Sequence, residues 1–361
     1  MFYLTFFLLS LGLSLILTPL IKHLALKGKI VDDPKIKRKI HLKPTPLLGG
    51  VAIFLCFFIL LFFLRQTAWW KAGEWSHKIL DKHLIGLFLA SLFLMIGGFR
   101  DDKNNLAPVK QIIWPILACL TIIISGIGIE FINHPFQEGY LYLNQTKIPI
   151  LTLKGVPYYF TPWADLITFF WLFILMYSTK LLDGLDGLVS GLTVIGALVM
   201  AGLCFLTPFY QPDVGVMALI LAGASLGFLF FNRHPAKIFL GEGGSLWAGF
   251  ILGVLAIISG SKVATTFLIL GLAIIDLISV FIQRVFINHQ SPFKGDQKHF
   301  HFRLLKAGFS HSRAVLFYWI FALVFGLSTL FLQTRGKIIA LILLIFLGVG
   351  LISFFSLKKS S

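Results

Sequence analysis

Charge is what this sequence has least of. Asp, Glu, Lys and Arg make up 13% of its 361 residues, where a soluble domain carries about 25%. That shortage excludes an ordinary soluble fold, whose helices need polar outer faces. Acidic residues are scarcer still, 15 against 31 Lys and Arg. Cysteine is sparse as well: Cys56, Cys119 and Cys204 all lie inside apolar runs without metal-ligand spacing. They read as small buried hydrophobes and carry no message about redox compartment. Internal repeats and low-complexity linkers are missing, so one integral domain over 1–361 is expected. The first apolar run, 2–21, has no basic region before it and no small-residue cleavage site after it, and reads as a retained helix.

What the sequence does have is hydrophobic length. Of its residues 57% are hydrophobic, 38 of them Phe, and the mean hydropathy is +0.89. Apolar runs near 20 residues recur, and about 20 is what a helix needs to cross a hydrocarbon core. Eleven spans are predicted: 2–21, 47–64, 84–99, 111–129, 163–180, 187–207, 214–231, 244–260, 263–287, 314–333 and 338–356. The fold class is an all-α polytopic integral membrane protein. If the C-terminus is cytoplasmic, 22 of the 31 Lys and Arg fall on the cytoplasmic side. The positive-inside rule therefore puts the N-terminus outside and the C-terminus in the cytoplasm. The net charge of +16 is mostly this bias. It requires no nucleic acid and favours anionic lipid and phosphorylated substrates. Within the outer loop 130–162, "YLYLNQTKIPILTLKG" alternates like a small β-hairpin.

The scarce acids gather on one side. Asp32, Asp33, Asp101, Asp102, Asp183, Asp186, Glu242 and Asp296 all fall in the predicted cytoplasmic set, a clustering that topology does not force. "GGFRDDKNNLAPVK" puts Asp101 and Asp102 at a span end, where adjacent carboxylates call for a cation or a shared proton. Lys110 stands at the mouth of the next span, where it could meet a phosphate; a plain polar helix end fits equally well. In "STKLLDGLDGLVSG", Asp183 and Asp186 would share a face if 183–190 is helical, and the bland alternative is a polar turn. "FNRHPAKIFLGEGGS" opens a span whose first N–H groups, at Gly243, Gly244 and Ser245, suit phosphate oxygens. Glu242 beside them is a hard oxygen ligand suited to Mg²⁺, or a simple helix cap. In the last loop His299, His301 and Arg303 alternate among lysines, a set of donors better suited to a diphosphate than to a metal. Asp276 lies well inside a span, so it needs a partner or a function, and Arg284 is too far along to be that partner.

With these motifs in hand, the chain resembles the polyprenyl-phosphate N-acetylhexosamine-1-phosphate transferases of glycosyltransferase family 4, most closely the WecA/TagO branch and more distantly MraY. The likeness runs over "GKIVDDPKIKRKIHLKPTPLLGG", "GFRDDKNNLAPVK", "LLDGLDGL", "FNRHPAKIFLGEGGS" and "AIIDLISVFIQRVFINHQSPFKGDQKHFHFRL". It implies a multi-pass enzyme of the inner (plasma) membrane, acting at the first membrane step of cell-surface glycan assembly. That enzyme would transfer sugar-1-phosphate from a UDP-sugar to a polyprenyl phosphate and release UMP. The cofactor implied is Mg²⁺, with Mn²⁺ as a substitute. The partners are the UDP-sugar, the polyprenyl phosphate and membrane lipid, and a homodimer is compatible with the family.

Carried over residue by residue, Asp101 and Asp102 match the family's catalytic Asp pair, and Glu242 with Asp102 its metal position. Lys110, Lys180, Asp183, Asp186, Asn232, His299, His301 and Arg303 fall at substrate-binding positions. Asp32, His41 and Asp276 belong to motif positions of structural character. Four residues depart from the pattern: Glu242 stands for Asp, Lys180 for Asn, Phe302 for His and Leu47 for Arg. Lys180 could pair with Asp183 or reach a substrate phosphate. Two further readings stay open at this stage: a non-catalytic homologue that binds carrier lipid or nucleotide sugar, and a lipid-linked sugar transporter.

Overall fold

The structure, a computed structural model, describes residues 2–32, 44–72, 79–134, 137, 139–153, 156–206, 210–260, 262–291 and 298–357. The expectations placed on Asp33, His41 and Asp296 lie outside those residues. The chain begins with α1 (Phe2–Lys27), then pairs β1 (Val31–Asp32) with β2 (Thr45–Pro46). Next come α2 (Gly49–Gln66), α3 (Ala68–Ala72), α4 (Asp81–Asn104) and α5 (Pro108–Ile124). Two antiparallel hairpins follow, β3 (Phe131–Asn133) with β4 (Tyr140–Tyr142) and β5 (Ile148–Leu153) with β6 (Val156–Phe160). The remainder is α6 (Pro162–Leu182), α7 (Leu188–Leu206), α8 (Pro212–Asn232), α9 (Gly241–Ile258), α10 (Val263–Ile282), α11 (Phe300–Lys306), α12 (His311–Ser328) and α13 (Thr334–Leu357).

Ten of the described helices are long and apolar enough to cross a membrane. The protein is a polytopic, all-helical membrane protein, as its composition predicts. The span expected at 111–129 is α5, at 17 residues shorter than the others. It nevertheless runs antiparallel along α4, with Gly97 against Trp114 and Gly86 against Ser125. The span expected at 263–287 is α10 continued by a π-helical turn, Gln283–Ile287. Where one hairpin was expected in 130–162 there are two.

Local chemistry sets several boundaries. Pro108, Pro162 and Pro212 stand in the first turns of α5, α6 and α8, where a missing N–H costs nothing and φ is already helical. Asn105, in the left-handed region at φ 47°, ends α4 just after its two aspartates. The most enclosed helix is α9, buried over 89% of its apolar stretch, against 28% for α1 and 22% for α13. Polar anchors hold the helices in register. Ser10 and Ser14 of α1 donate to the carbonyls of Ile220 and Ala224 on α8, and the Trp247 indole of α9 donates to Ser91 of α4 at 2.9 Å. In an apolar interior such bonds contribute about 0.6 kcal/mol each.

The first turn of α9 is gripped from two sides. A Cβ on Gly98 of α4 would lie 2.0 Å from the Gly243 nitrogen, and one on Gly50 of α2 would lie 2.1 Å from the Gly244 Cα. Only glycine allows backbones to approach this closely. The approach to the turn is docked too. The N–H groups of Gly49 and Gly50, unpaired within α2, donate to the carbonyls of Phe239 and Leu240 at 2.9 and 2.7 Å. Residues 239–244 are thereby wedged between α2 and α4.

Candidate active site

This wedge brings the end of α4 onto the start of α9. Asp102 Oδ1 accepts the Glu242 N–H at 3.0 Å, so the α4 carboxylate, not Glu242, caps α9. Asp102 Oδ2 lies over Gly241, where a Cβ would meet it at 2.6 Å and where φ is +79°. Gly243 and Gly244 are buried against α4 and α2. Their N–H groups are therefore covered by protein, and the phosphate cradle expected there from sequence is not open.

Freed from capping, the Glu242 side chain turns to α6 and forms an ion pair with the Lys180 ammonium; the two side chains are only 15% and 16% exposed. Lys180 Nζ also donates to Gln111 Oε1 at 2.9 Å and lies 5.4 Å from the centre of the Tyr177 ring. Gln111 Nε2 donates in turn to Asp101 Oδ1 at 2.9 Å, which also accepts the Leu106 N–H at 2.8 Å. A polar chain thus runs Asp101–Gln111–Lys180–Glu242 across α4, α5, α6 and α9. Lys180 pairs with Glu242 rather than with Asp183, because the longer acid on α9 reaches it across the helix interface.

The turn 183–187 is not helical, and α7 begins at Leu188. Glycines at 184 and 187 break the periodicity, the latter at φ +80°, so Asp183 and Asp186 do not share a helix face as the spacing suggested. Asp183 feels the charges of Glu242, Asp102 and Asp186. Enclosure, and then these neighbours, push its carboxyl up to about 8. The folded state therefore holds a proton that the unfolded chain loses at about 4. The resulting penalty grows as pH rises from about 4 to about 8 and is flat above that. Asp183→Asn is expected to raise the unfolding temperature of the substrate-free protein more at pH 8 than at pH 5. Melting curves in detergent at the two pH values check this, and an equal shift at both would count against it.

Asp186 faces the other way. Its Oδ2 meets His234 Nδ1 at 2.7 Å, accepts the Ala236 N–H at 3.1 Å and lies 4.0 Å from His311 Nε2. The three ligand atoms lie within 4.8 Å of one another. The two imidazoles, however, stack with centroids 4.0 Å apart and planes at 17°, so their in-plane lone pairs run side by side instead of converging. Asn232 acts as a clamp: its Oδ1 accepts from the Gly187 N–H and the Ser190 hydroxyl, and its Nδ2 donates to the Ile238 carbonyl.

Asp276 has the off-helix partner its position demanded. Its Oδ2 meets His299 Nδ1 at 2.9 Å and its Oδ1 accepts the Phe300 N–H at 2.9 Å, which anchors the start of α11. His301 is fully buried against the Gly184 turn, where a Cβ would lie 2.5 Å from its Nε2. Burial lowers its imidazole to about 3, so it is neutral at ordinary pH. Arg303 donates to the Lys298 and Ile352 carbonyls, tying α11 to α13. Lys110 lies exposed in the first turn of α5. Asp32, half-buried in β1, is near enough to add its charge to the field at Asp102.

The structure therefore gathers Asp101, Asp102, Lys180, Asp183 and Glu242 at one end of the bundle. Sequence reasoning missed Gln111, His234 and His311. Gln111 follows the flagged Lys110 directly, and a lone amide at the mouth of an apolar helix was the available signal. His234 and His311 left none, because only the fold brings them to Asp186. Four acidic side chains, Asp183 among them in its protonated form, stand against one ammonium in a partly enclosed site of hard oxygen donors. That donor set fits Mg²⁺, with Glu242 and Asp102 able to hold it. A cavity of about 260 Å³ lined by His83, Glu130 and Asp213 among others opens at the opposite end of the bundle, away from this cluster.

Known proteins resemble this chain in sequence. The glycosyl transferase family 4 pattern matches residues 84–260, which include Asp101, Asp102, Lys180, Asp183 and Glu242. The chain is 29% identical over 353 residues to a probable undecaprenyl-phosphate N-acetylglucosaminyl 1-phosphate transferase of Bacillus subtilis, covering 95% of this chain and 89% of that protein. It is 32% identical to the phospho-N-acetylmuramoyl-pentapeptide-transferase of Borreliella afzelii, over 88% of this chain and 91% of that one. With the decaprenyl-phosphate N-acetylglucosaminephosphotransferase of Mycobacterium leprae it shares 27% identity over 88% of its own length and 81% of the relative. Matched along nearly its whole length, the chain belongs to glycosyl transferase family 4.

Proposed function

We infer that this membrane protein transfers sugar-1-phosphate to a polyprenyl phosphate, with a UDP-linked N-acetylhexosamine as donor and UMP as the released product. The observation that carries this reading is the convergence of Asp101, Asp102, Asp183, Glu242 and Lys180 at one end of a bundle of membrane-spanning helices. In this reading that end faces the cytoplasm across an inner membrane, and the excess of Lys and Arg in the loops on that side supports the orientation. A nucleotide sugar reaches the site there from water while the lipid arrives from the bilayer.

In the reaction an oxygen of the lipid phosphate forms a bond to the β-phosphorus of the donor. The bond from that phosphorus to the bridging oxygen breaks, and UMP leaves with the electron pair. A phosphate monoester has its second pKa at about 6, so the attacking phosphate is already largely ionised and needs little help from a base. The main task is to bring two anions together, which is positioning and charge neutralisation. Mg²⁺ held at Glu242 and Asp102 would supply neutralising charge. Lys180 provides a cation from the chain itself, and Asp102 fixes the α9 turn on which Glu242 stands. His301 stays neutral against the 183–187 turn and can donate a hydrogen bond without adding charge.

The transporter reading loses its one mid-helix charge, since both Asp276 oxygens are committed to His299 and Phe300. The non-catalytic reading keeps a specific observation in its favour, the Lys180–Glu242 pair. One experiment separates it from the transferase. Membranes containing the protein, given polyprenyl phosphate, Mg²⁺ and a panel of UDP-sugars, are expected to release UMP and form a lipid-linked product with at least one donor. Confirmed expression with no UMP from any donor would leave the non-catalytic reading standing.

A further inference from the structure

We propose that Lys180 is a resident counter-ion that shares Glu242 with the divalent cation and so weakens metal binding at this site. The inference rests on the reading that a divalent ion binds at Glu242. The Lys180 ammonium is not a loose surface charge. Glu242 and Gln111 hold it, the Tyr177 ring lies beside it, and its side chain is 16% exposed. Gln111 is fixed by Asp101 and the Leu106 carbonyl, at 2.9 Å each. The ammonium is therefore aimed at Glu242 by a braced amide rather than swept there by chance.

Two of the residues that depart from the family pattern, Lys180 and Glu242, are the two partners of this pair. A neutral amide at 180 would leave the acid on α9 with no chain cation. A shorter acid at 242 would have one methylene less with which to reach α6. Taken together, the lysine adds a positive charge and the longer acid meets it. A metal ion approaching Glu242 encounters a carboxylate already neutralised by a monovalent group, and must displace or crowd that group. Once displaced, the ammonium stands at the same site with donors free for a phosphate.

The test is Mn²⁺ binding to the purified full-length protein in detergent, read from the loss of the free-ion paramagnetic resonance signal, with no substrate present. Lys180→Gln and Lys180→Met are both expected to tighten Mn²⁺ binding by tenfold or more, and Lys180→Arg to leave it within about threefold of wild type, since either cation repels the ion. Unchanged or weaker binding in both neutral variants would overturn the proposal. So would failure of both to fold, judged by melting curves, because the pair would then be a structural cross-link and not an exchangeable cation. Glu242→Gln keeps the two ideas apart. If it leaves Mn²⁺ affinity unchanged, the metal position itself is wrong. If it weakens binding while the neutral Lys180 variants do not strengthen it, only the role given to Lys180 falls.

Discussion

Asp102→Asn is expected to cut UMP release by about 10³-fold or more, the scale seen when a group that handles transition-state charge is removed, while the protein still folds. The substitution separates two tasks that one side chain performs. Asp102 Oδ1 accepts the Glu242 N–H, and an amide oxygen accepts that bond nearly as well. What Asn lacks is the negative charge. Its loss at the α9 terminus costs about 0.3–1 kcal/mol, a shift of a few degrees in melting temperature. Asp102→Ala removes cap and charge together and should melt lower than Asp102→Asn at equal loss of turnover. If the Asn variant retained turnover within tenfold, the carboxylate would be a helix cap and nothing more.

The second large effect comes from a residue with no chemistry of its own. Gly98→Ala puts a methyl group 2.0 Å from the Gly243 nitrogen and 2.2 Å from its Cα. Both obstacles are backbone, so no rotamer can make room and the helices must part. Overpacking of this kind costs about 1–3 kcal/mol or more. The displaced element is the turn that carries Glu242, and a misplacement of about 1 Å can cost about 10² in rate. Gly98→Ala is therefore expected to lose at least about 10² in turnover and to melt several degrees lower. Gly12→Ala, with nothing within 4 Å of the new methyl, should do neither. Comparing the two variants by UMP release and melting curves checks the claim, and equal behaviour would remove the crossing from the account.

Most of the architecture was legible because membrane helices announce themselves by length and hydropathy. All eleven predicted spans correspond to described helices, and α5 fell short only in length. The grouping of acids at one end was legible too, since Asp101, Asp102 and Glu242 sit where spans stop or start. Side-chain aim was not. Sequence put Glu242 at a helix start and could not say that Asp102 would take over the cap. It gave Asp183 and Asp186 helical spacing, but two glycines turned them apart, one toward Glu242 and the other toward His234. Gln111, at the mouth of α5, became part of the site only because α5 lies against α4 and α6. Arg303 also bonds the carbonyls of Lys298 and Ile352, through Nε and Nη1, a tie between α11 and α13 that no local pattern signals. Such pairings depend on which helices are neighbours, which a single sequence does not encode in any local pattern.

The glycine contacts around α9 also limit how this site can change over generations. With Gly98 against Gly243 on one flank and Gly50 against Gly244 on the other, the turn that carries position 242 has little room to shift, and its acid ends on Lys180 of α6. Because that acid meets Lys180 directly, positions 180 and 242 are expected to change as a pair. A close backbone crossing would in this way choose which residue answers when the chemistry is altered.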